Sequence, residues 1–363
     1  MLTSTLMISC GMFMELKKKL DTLKDFFHGK KVIVAFSGGA DSTLLALIAK
    51  NEAKDSLAVT VDNGVMPPEF MKNAQEIAQK IGINHLVIQE NFLDDLNFRT
   101  NPPNRCYICR KKMYQQLEKL LSDYCYDFVV DGTNISDLME DRPGTLVNIE
   151  KNIKTPLVRV GLTSEEVRAI LHKWRVNYNP STTCLATRIP TRKTITPQKI
   201  NRINYAENFI RNLTSLDVVR VRDDDGVAYI EVGDVDKLQD NVLLDSLNFE
   251  LKKIGFEKVD QNIGSYADSK KETVVYRPCK SEKNRIILEI ELPYQLNILD
   301  TCHELESLGE VKCSPEMGIV RLEFDGLSIT LFAKGKIVAR GLKDQKDGKK
   351  LLTLVLPCIR RQR

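Results

Sequence analysis

The sequence has no strong excess of charge of either sign, no apolar run long enough to cross a bilayer, only four histidines, and no tandem repeat or low-complexity tract. Each absence narrows the reading. A net charge of +4 and a pI near 8.4 fall short of the basic surface of a dedicated nucleic-acid binder, so an anionic substrate is admitted without being identified. The apolar opening MLTSTLMISCGMFM lacks a basic n-region, is too short to span a membrane, and runs into the helical pattern ELKKKLDTLKDFF. That predicts a cytoplasmic chain, not a membrane protein, with its native start at Met12 or Met14. The nine cysteines are odd in number and follow no secretory signal, which argues against a disulfide framework and for reduced thiols.

What is present is an ordinary globular composition, 42% hydrophobic and 28% charged, over 363 residues, enough for two or three domains. From Lys31 the chain alternates apolar strand runs with amphipathic stretches: VIVAFS, a helix from Asp41 to about Lys54, LAVTVDNG, a helix over Glu69 to Lys80, and HLVIQE. A loop holding Arg105 to Arg110 follows, then a helix to Leu121 and the strand DFVVDGTN. This order predicts an α/β fold with a doubly wound parallel sheet, covered on both faces, over residues 1–179.

Residues 180–268 change character, with a helix expected from Pro197 to Leu213 and the strand pair DVVRVRDDD and VAYIEVGD. These elements make a smaller α+β region. Residues 269–363 read as strand, strand, helix, strand, strand, helix, an additional α+β domain reached through the polar linker YADSKKET.

The sharpest local signal is Ser37-Gly38-Gly39-Ala40-Asp41-Ser42, straight after a strand and straight before a helix. Two glycines let backbone N–H groups close on an anion, and the helix start adds partial positive charge. The loop lacks the Lys and spacing of a Walker P-loop, so transfer of a terminal phosphoryl group is not expected. Asp41 is placed to hold Mg²⁺ against the phosphates of ATP, which suits cleavage between the α and β phosphates. The alternative is a simple Gly-rich turn with an N-cap.

The string resembles the PP-loop family, whose members adenylate an oxygen and release pyrophosphate. The resemblance implies that Val61 and Asp62 line the adenine pocket and that Gly132, Thr133 and Asn134 complete the nucleotide site. Taken singly, Asp62 and Asn134 are also compatible with Asx-turns.

Cys106 and Cys109 form a CxxC, and Cys184 stands in STTCLATRIP. Zinc would want a fourth ligand, and the histidines show no partner spacing. Three thiolates suit a 4Fe-4S cluster with one open iron able to bind sulfide, with Arg105, Arg110, Lys111 and Arg188 offsetting their charge. Three unrelated thiols is the alternative. Cys10, Cys125, Cys279, Cys302, Cys313 and Cys358 lie in apolar or scattered contexts and read as structural.

At this point the likeness becomes specific. SGGADS, DGTN, EDRPG at Glu140 to Gly144, TPLVRVGLTSEEVR, CLATRIP, ITPQKINRINYAENFIR, VRVR and YIEV follow in collinear order over residues 14–235. The sequence resembles the LarE family of ATP-dependent sulfurtransferases. The resemblance implies activation of a pyridinium-type carboxylate as an acyl adenylate, then attack by sulfur. In one branch the residue matching Cys184 is sacrificial; in another it joins a CxxC to hold a cluster whose extra sulfide is transferred. The presence of Cys106 and Cys109 favours the second. The resemblance further implies that residues 180–268 serve substrate binding and sulfur transfer, and that Arg188, Arg220 and Arg222, with Glu207 and Glu231, face the substrate, the two strand arginines binding its phosphate.

The expected partners are therefore a small-molecule acceptor and a sulfide source, in a homo-oligomer. Cluster-dependent tRNA thiolation remains a second reading, without the zinc ribbon or strongly basic surface that would announce RNA. Ammonia-using PP-loop ligases share the ATP loop but have no need of three cysteines.

Overall fold

A computed structural model describes residues 2–140, 142, 144–180, 182–238, 240–260, 263–265, 274–276 and 286–362. Cys279, the side chain of Cys10, the whole of the expected linker at 266–273, and Asp141 and Pro143 of the EDRPG stretch lie outside the described residues.

Four parallel strands open the fold: β1 (Lys31–Ala35), β2 (Asp55–Asp62), β3 (Asn84–Gln89) and β4 (Phe128–Val130). Their order is β3-β2-β1-β4, so the chain winds one way from β1 and then returns to its other side. The run KVIVA is apolar without alternation because both of its faces are covered. Val32 and Val34 pack with Leu44, Leu45 and Ile48 of the helix Ala40–Glu52 and with Phe27 of the helix Leu2–Phe27. Ile33, pointing the other way, packs with Tyr114 and Leu117 of the helix Arg105–Asp123. The expected doubly wound α/β sheet is thus present.

The expected loop at Arg105 to Arg110 is instead the opening of that helix, which begins at Arg105. Pro102 and Pro103 end the preceding chain, and no Gly or Pro interrupts the residues from 105 to 123, so nothing delays helix formation beyond Arg110. The CxxC therefore sits on a rigid first turn.

β5 (Val219–Asp224) and β6 (Val227–Val232) form an antiparallel hairpin, turned through Asp225 at φ +47° and Gly226. The helix Pro197–Thr214 packs on the hairpin, burying Ile203, Ala206 and Ile210 against Val219, Val221 and Ile230. The same core takes in Val61 from the end of β2, and Val65 and Phe92 from beyond the carboxyl ends of β2 and β3. A further helix, Asn241–Lys253, was not legible as a separate element in the sequence pattern.

The C-terminal region is a six-stranded sheet with the helices Ile298–Leu305 and Gln345–Val355 against it. It holds more strands than the sequence pattern predicted. SITLFAKGKIVARG folds as two strands, Leu327–Phe332 and Lys336–Leu342, because Gly335 takes φ +95° and turns the chain. Glu310–Ser314 adds an edge strand whose alternation is obscured by its exposed charged residues. No helix among the described residues is long and apolar enough to cross a membrane.

Candidate active site

The loop from Ser37 to Ser42 leaves β1 and turns into the helix Ala40–Glu52. Gly38 is buried at φ +70°, and a Cβ there would stand 2.7 Å from Asn179 Nδ2, so side chain and backbone both demand glycine. Asn179 N donates to Gly38 O at 2.7 Å, tying residues 178–180 to the loop. Ser42 Oγ lies 3.1 Å from both Ser37 Oγ and Gly39 O, and Gly39 N donates to Ser37 Oγ at 3.3 Å. The loop is closed by its own hydroxyls, with its N–H groups gathered at a helix start, the arrangement that cradles phosphate.

Across the loop, Gly132 at the end of β4 allows a near approach: a Cβ there would be 3.0 Å from Asp41 Cβ and 3.1 Å from Ser42 N. Asn134 caps the helix Ile135–Leu138 with a reciprocal capping box to Asp137. Its Nδ2 donates to Asp41 Oδ1 at 2.9 Å and to Ser164 Oγ at 3.0 Å. Burial, with the Asp137 carboxylate nearby, pushes the Asp41 carboxyl up to about 6 despite that donation. One ionisable carboxylate beside a phosphate nest suits Mg²⁺, which prefers few protein ligands plus phosphates and water. Asn134 does form a cap, and Asp62 accepts from Gly64 N at 3.1 Å, so both also have the local turn role that the sequence allowed. Val61 is 4% exposed, its side chain packed in the core.

Beneath Thr133 lies a buried network that the sequence did not reveal. Asp131 accepts from Arg110 Nη2 at 2.6 Å, Tyr114 OH at 2.6 Å and Thr133 N at 2.8 Å, and Asn148 Nδ2 reaches Thr133 Oγ1 at 3.0 Å. Burial alone would raise the Asp131 carboxyl, but the Arg110 charge and the Thr133 and Tyr114 hydrogen bonds override it and bring it to about 2. Arg110, expected to offset the thiolates, is therefore turned to the end of β4, since a buried carboxylate is the stronger partner for a guanidinium. Lys111 lies over the Tyr107 ring, 5.7 Å from its centroid, and does not face the sulfurs either.

The CxxC turn is stitched to the Cys184 segment. Asn101, buried at φ +56°, donates from Nδ2 to Pro190 O at 2.8 Å, and its O accepts from Arg192 N at 2.8 Å. Arg105 Nη1 donates to Ala186 O at 3.0 Å, and Leu185 N donates to Val65 O at 2.9 Å. Cys109 and Cys184 consequently pack on one core, with Asn63 Nδ2 3.7 Å from Cys109 Sγ. Burial, then the Cys184 and Cys106 thiols, push Cys109 up to about 12. Burial also raises Cys184, with Arg105 and Arg188 opposing and Cys106 adding. The basic residues pull the thiols in the expected direction, but desolvation wins.

Among the described residues no three His, Cys, Asp or Glu side chains converge as they would on a single metal ion. A cluster asks for something different, because each thiolate takes its own iron and the sulfurs surround the group. Three neighbouring thiols, an amide donor to sulfur and the Arg105 charge form a donor set chemically suited to one.

Next to Cys184, Arg188 is 3% exposed. Its Nε donates to Glu207 Oε1 at 2.7 Å and its Nη1 to Thr183 and Thr187 Oγ1 at 2.6 Å each, while Nη2 is buried with no hydrogen-bond partner. Glu207 also accepts from Arg211 Nη2 at 2.9 Å and Val221 N at 3.2 Å, with Arg220 Nη1 3.9 Å away. At 1% exposure it holds arginines in place from inside the fold. Arg220 and Arg222 do share one side of β5, opposite buried Val219 and Val221. Arg222 is engaged by Glu231 through both carboxylate oxygens, at 2.7 and 2.9 Å. Asp223 pairs with Arg202 at 2.5 Å, and Asp225 with Lys193 and Lys199.

Comparison with known proteins follows these features. The family model of the queuosine biosynthesis protein QueC matches residues 31–119, which carry the loop and the CxxC. An uncharacterised protein of Synechocystis sp. is 33% identical over 261 residues, covering 70% of this chain and 97% of that protein. An uncharacterised protein of Methanocaldococcus jannaschii is 34% identical over 253 residues, or 69% and 97% of the two chains. The pyridinium-3,5-bisthiocarboxylic acid mononucleotide synthase of Lactiplantibacillus plantarum is 28% identical over 248 residues, 67% of this chain and 88% of that enzyme.

Proposed function

This chain belongs to the LarE family of PP-loop proteins, and from that premise we propose that it is an ATP-dependent sulfurtransferase acting on a pyridinium-type carboxylate. The observation that carries the proposal is the gathering of Cys106, Cys109 and Cys184 around Arg105, with the unpartnered Nη2 of buried Arg188 alongside.

In this reading the N–H groups of Ser37 to Ser42 bind the β and γ phosphates of ATP, and Asp41, oriented by Asn134, would hold the Mg²⁺ that neutralises them. The acceptor carboxylate attacks the α phosphorus, and pyrophosphate leaves. Arg188 Nη2 is the donor left over for the acceptor's anionic groups, while Glu207 and Glu231 keep the arginine layer in register. Cys106, Cys109 and Cys184 would hold a 4Fe-4S cluster, which supplies an open iron able to carry sulfide. Displacement of AMP from the activated carbon by sulfide then gives the thiocarboxylate, with no net redox change.

A second reading, in which Cys184 gives up its own sulfur, is favoured by the exposure of Cys106, which opens one of the three ligands to solvent. Both readings require the same nucleotide products. Incubating the protein with ATP and a pyridinium carboxylate nucleotide should yield AMP and pyrophosphate. Release of ADP and phosphate would contradict the proposal.

A further inference from the structure

The C-terminal sheet domain meets the nucleotide-site domain at the short helix Ile135–Leu138. Ile135, the first residue of the helix Ile135–Leu138, is 3% exposed and belongs to the core of the C-terminal domain, together with Val158, Leu292, Leu296, Leu351 and Val355. Leu138 and Met139 pack on that same core from the other end of the helix. Tyr294 donates from its hydroxyl to Leu138 O at 2.5 Å, so the last turn of the helix is held by a residue 156 positions away. A second contact lies behind it: a Cβ on Gly161, at φ +71°, would stand 2.3 Å from Thr353 Cγ2, so the Gly161 backbone meets the Thr353 side chain in van der Waals contact. Leu162 O, one residue on, accepts from Ile135 N at 3.0 Å.

The N-terminal side of this helix is Asn134, whose amide holds Asp41 and Ser164. A four-residue helix has too few internal hydrogen bonds to fix its own position. Its placement, and with it the direction of the Asn134 side chain, is set by what it packs against.

We infer that the C-terminal domain is a positioning element of the nucleotide site: through Tyr294 and the apolar seam at Ile135 it fixes the helix Ile135–Leu138, whose cap Asn134 aims Asp41. The inference rests on the reading of Ser37 to Ser42 as the ATP loop. Tyr294 is a positioning residue that touches neither nucleotide nor acceptor, and it acts on ATP affinity, leaving the sulfur step alone.

The test compares the full chain with Tyr294→Phe, which keeps the ring and removes one hydroxyl, and with Thr301→Ala. Thr301 is buried in the same domain, where its hydroxyl accepts from Arg360 N at 2.9 Å and makes no hydrogen bond to the helix Ile135–Leu138. Tyr294→Phe should weaken Mg²⁺-ATP binding by about fivefold or more, the lower end of coupling between linked sites. It should raise KM for ATP while leaving the sulfur-transfer rate at saturating ATP unchanged. Thr301→Ala should lower Tm and leave ATP affinity as it was. Unaltered affinity in Tyr294→Phe, or equal weakening in both variants, overturns the inference. Hydrogen exchange without nucleotide separates this failure from failure of the ATP reading. Amides 134–139 should exchange faster in Tyr294→Phe, and unchanged protection there overturns the positioning path whatever the ligand is.

Discussion

Asn134 reaches across 93 positions of sequence to donate a 2.9 Å hydrogen bond to the Asp41 carboxylate, so the end of the fourth strand orients the acidic residue of the phosphate loop. A hydrogen bond to a charged group contributes about 1.5–3 kcal/mol. Asn134→Ala should therefore weaken Mg²⁺-ATP binding by about tenfold or more, measured by calorimetry, while ATP binding without Mg²⁺ changes less. Equal loss with and without the metal would detach Asn134 from Asp41's role.

Asp41 also sets a pH dependence. Its folded-state pKa of about 6 lies above the ordinary 3.8, so folding without bound metal shifts the group toward its protonated form. The associated stability is fully present below about 3.8 and is lost as pH rises through about 6. Metal binding has the opposite sign, because it needs the carboxylate, and Mg²⁺-ATP affinity should climb through the same window. Denaturant titrations and ATP binding across that range check both trends. Asp41→Asn should flatten both of them, and a surviving slope would assign the titration to another group.

The Arg110–Asp131 pair makes a separate demand on stability. Removing one partner of a buried ion pair costs about 3–5 kcal/mol, so Arg110→Ala should lower the denaturation midpoint sharply. Asp131, depressed to about 2, contributes stability that is present above its unfolded value of 3.8 and is lost as pH falls toward 2. Asp131→Asn should remove that acid-side loss. An acid limb identical in the variant would count against the pair.

Arg188 gives a prediction about chemistry. Arg188→Lys keeps the charge but loses the fork that reaches Glu207, Thr183 and Thr187 while leaving Nη2 over. Sulfur transfer should fall by about tenfold or more, with ATP binding little altered. A normal transfer rate would remove Arg188 from acceptor binding.

The parallel sheet and its phosphate loop were legible because apolar runs, glycines and a helix start lie together in a few dozen residues. Gly38 and Gly132 could be singled out, although their reason, contact with Asn179 and with Asp41, lies far along the chain. The Arg110–Asp131–Tyr114 network was not legible, since DG before TN reads as a turn and nothing local shows that its Asp is buried. The start of the CxxC helix was missed because a Pro-rich lead and a polar first turn resemble a loop. The coupling through Tyr294 depends on tertiary packing alone, and no periodicity carries it.

The measurement that tests the central claim most directly is iron, acid-labile sulfide and the visible spectrum on protein purified without oxygen, beside Cys184→Ala. The account predicts about four irons per chain, lost in the variant. An iron-free protein whose Cys184 loses the elements of hydrogen sulfide after turnover would contradict the cluster and leave Cys184 as the sulfur donor itself.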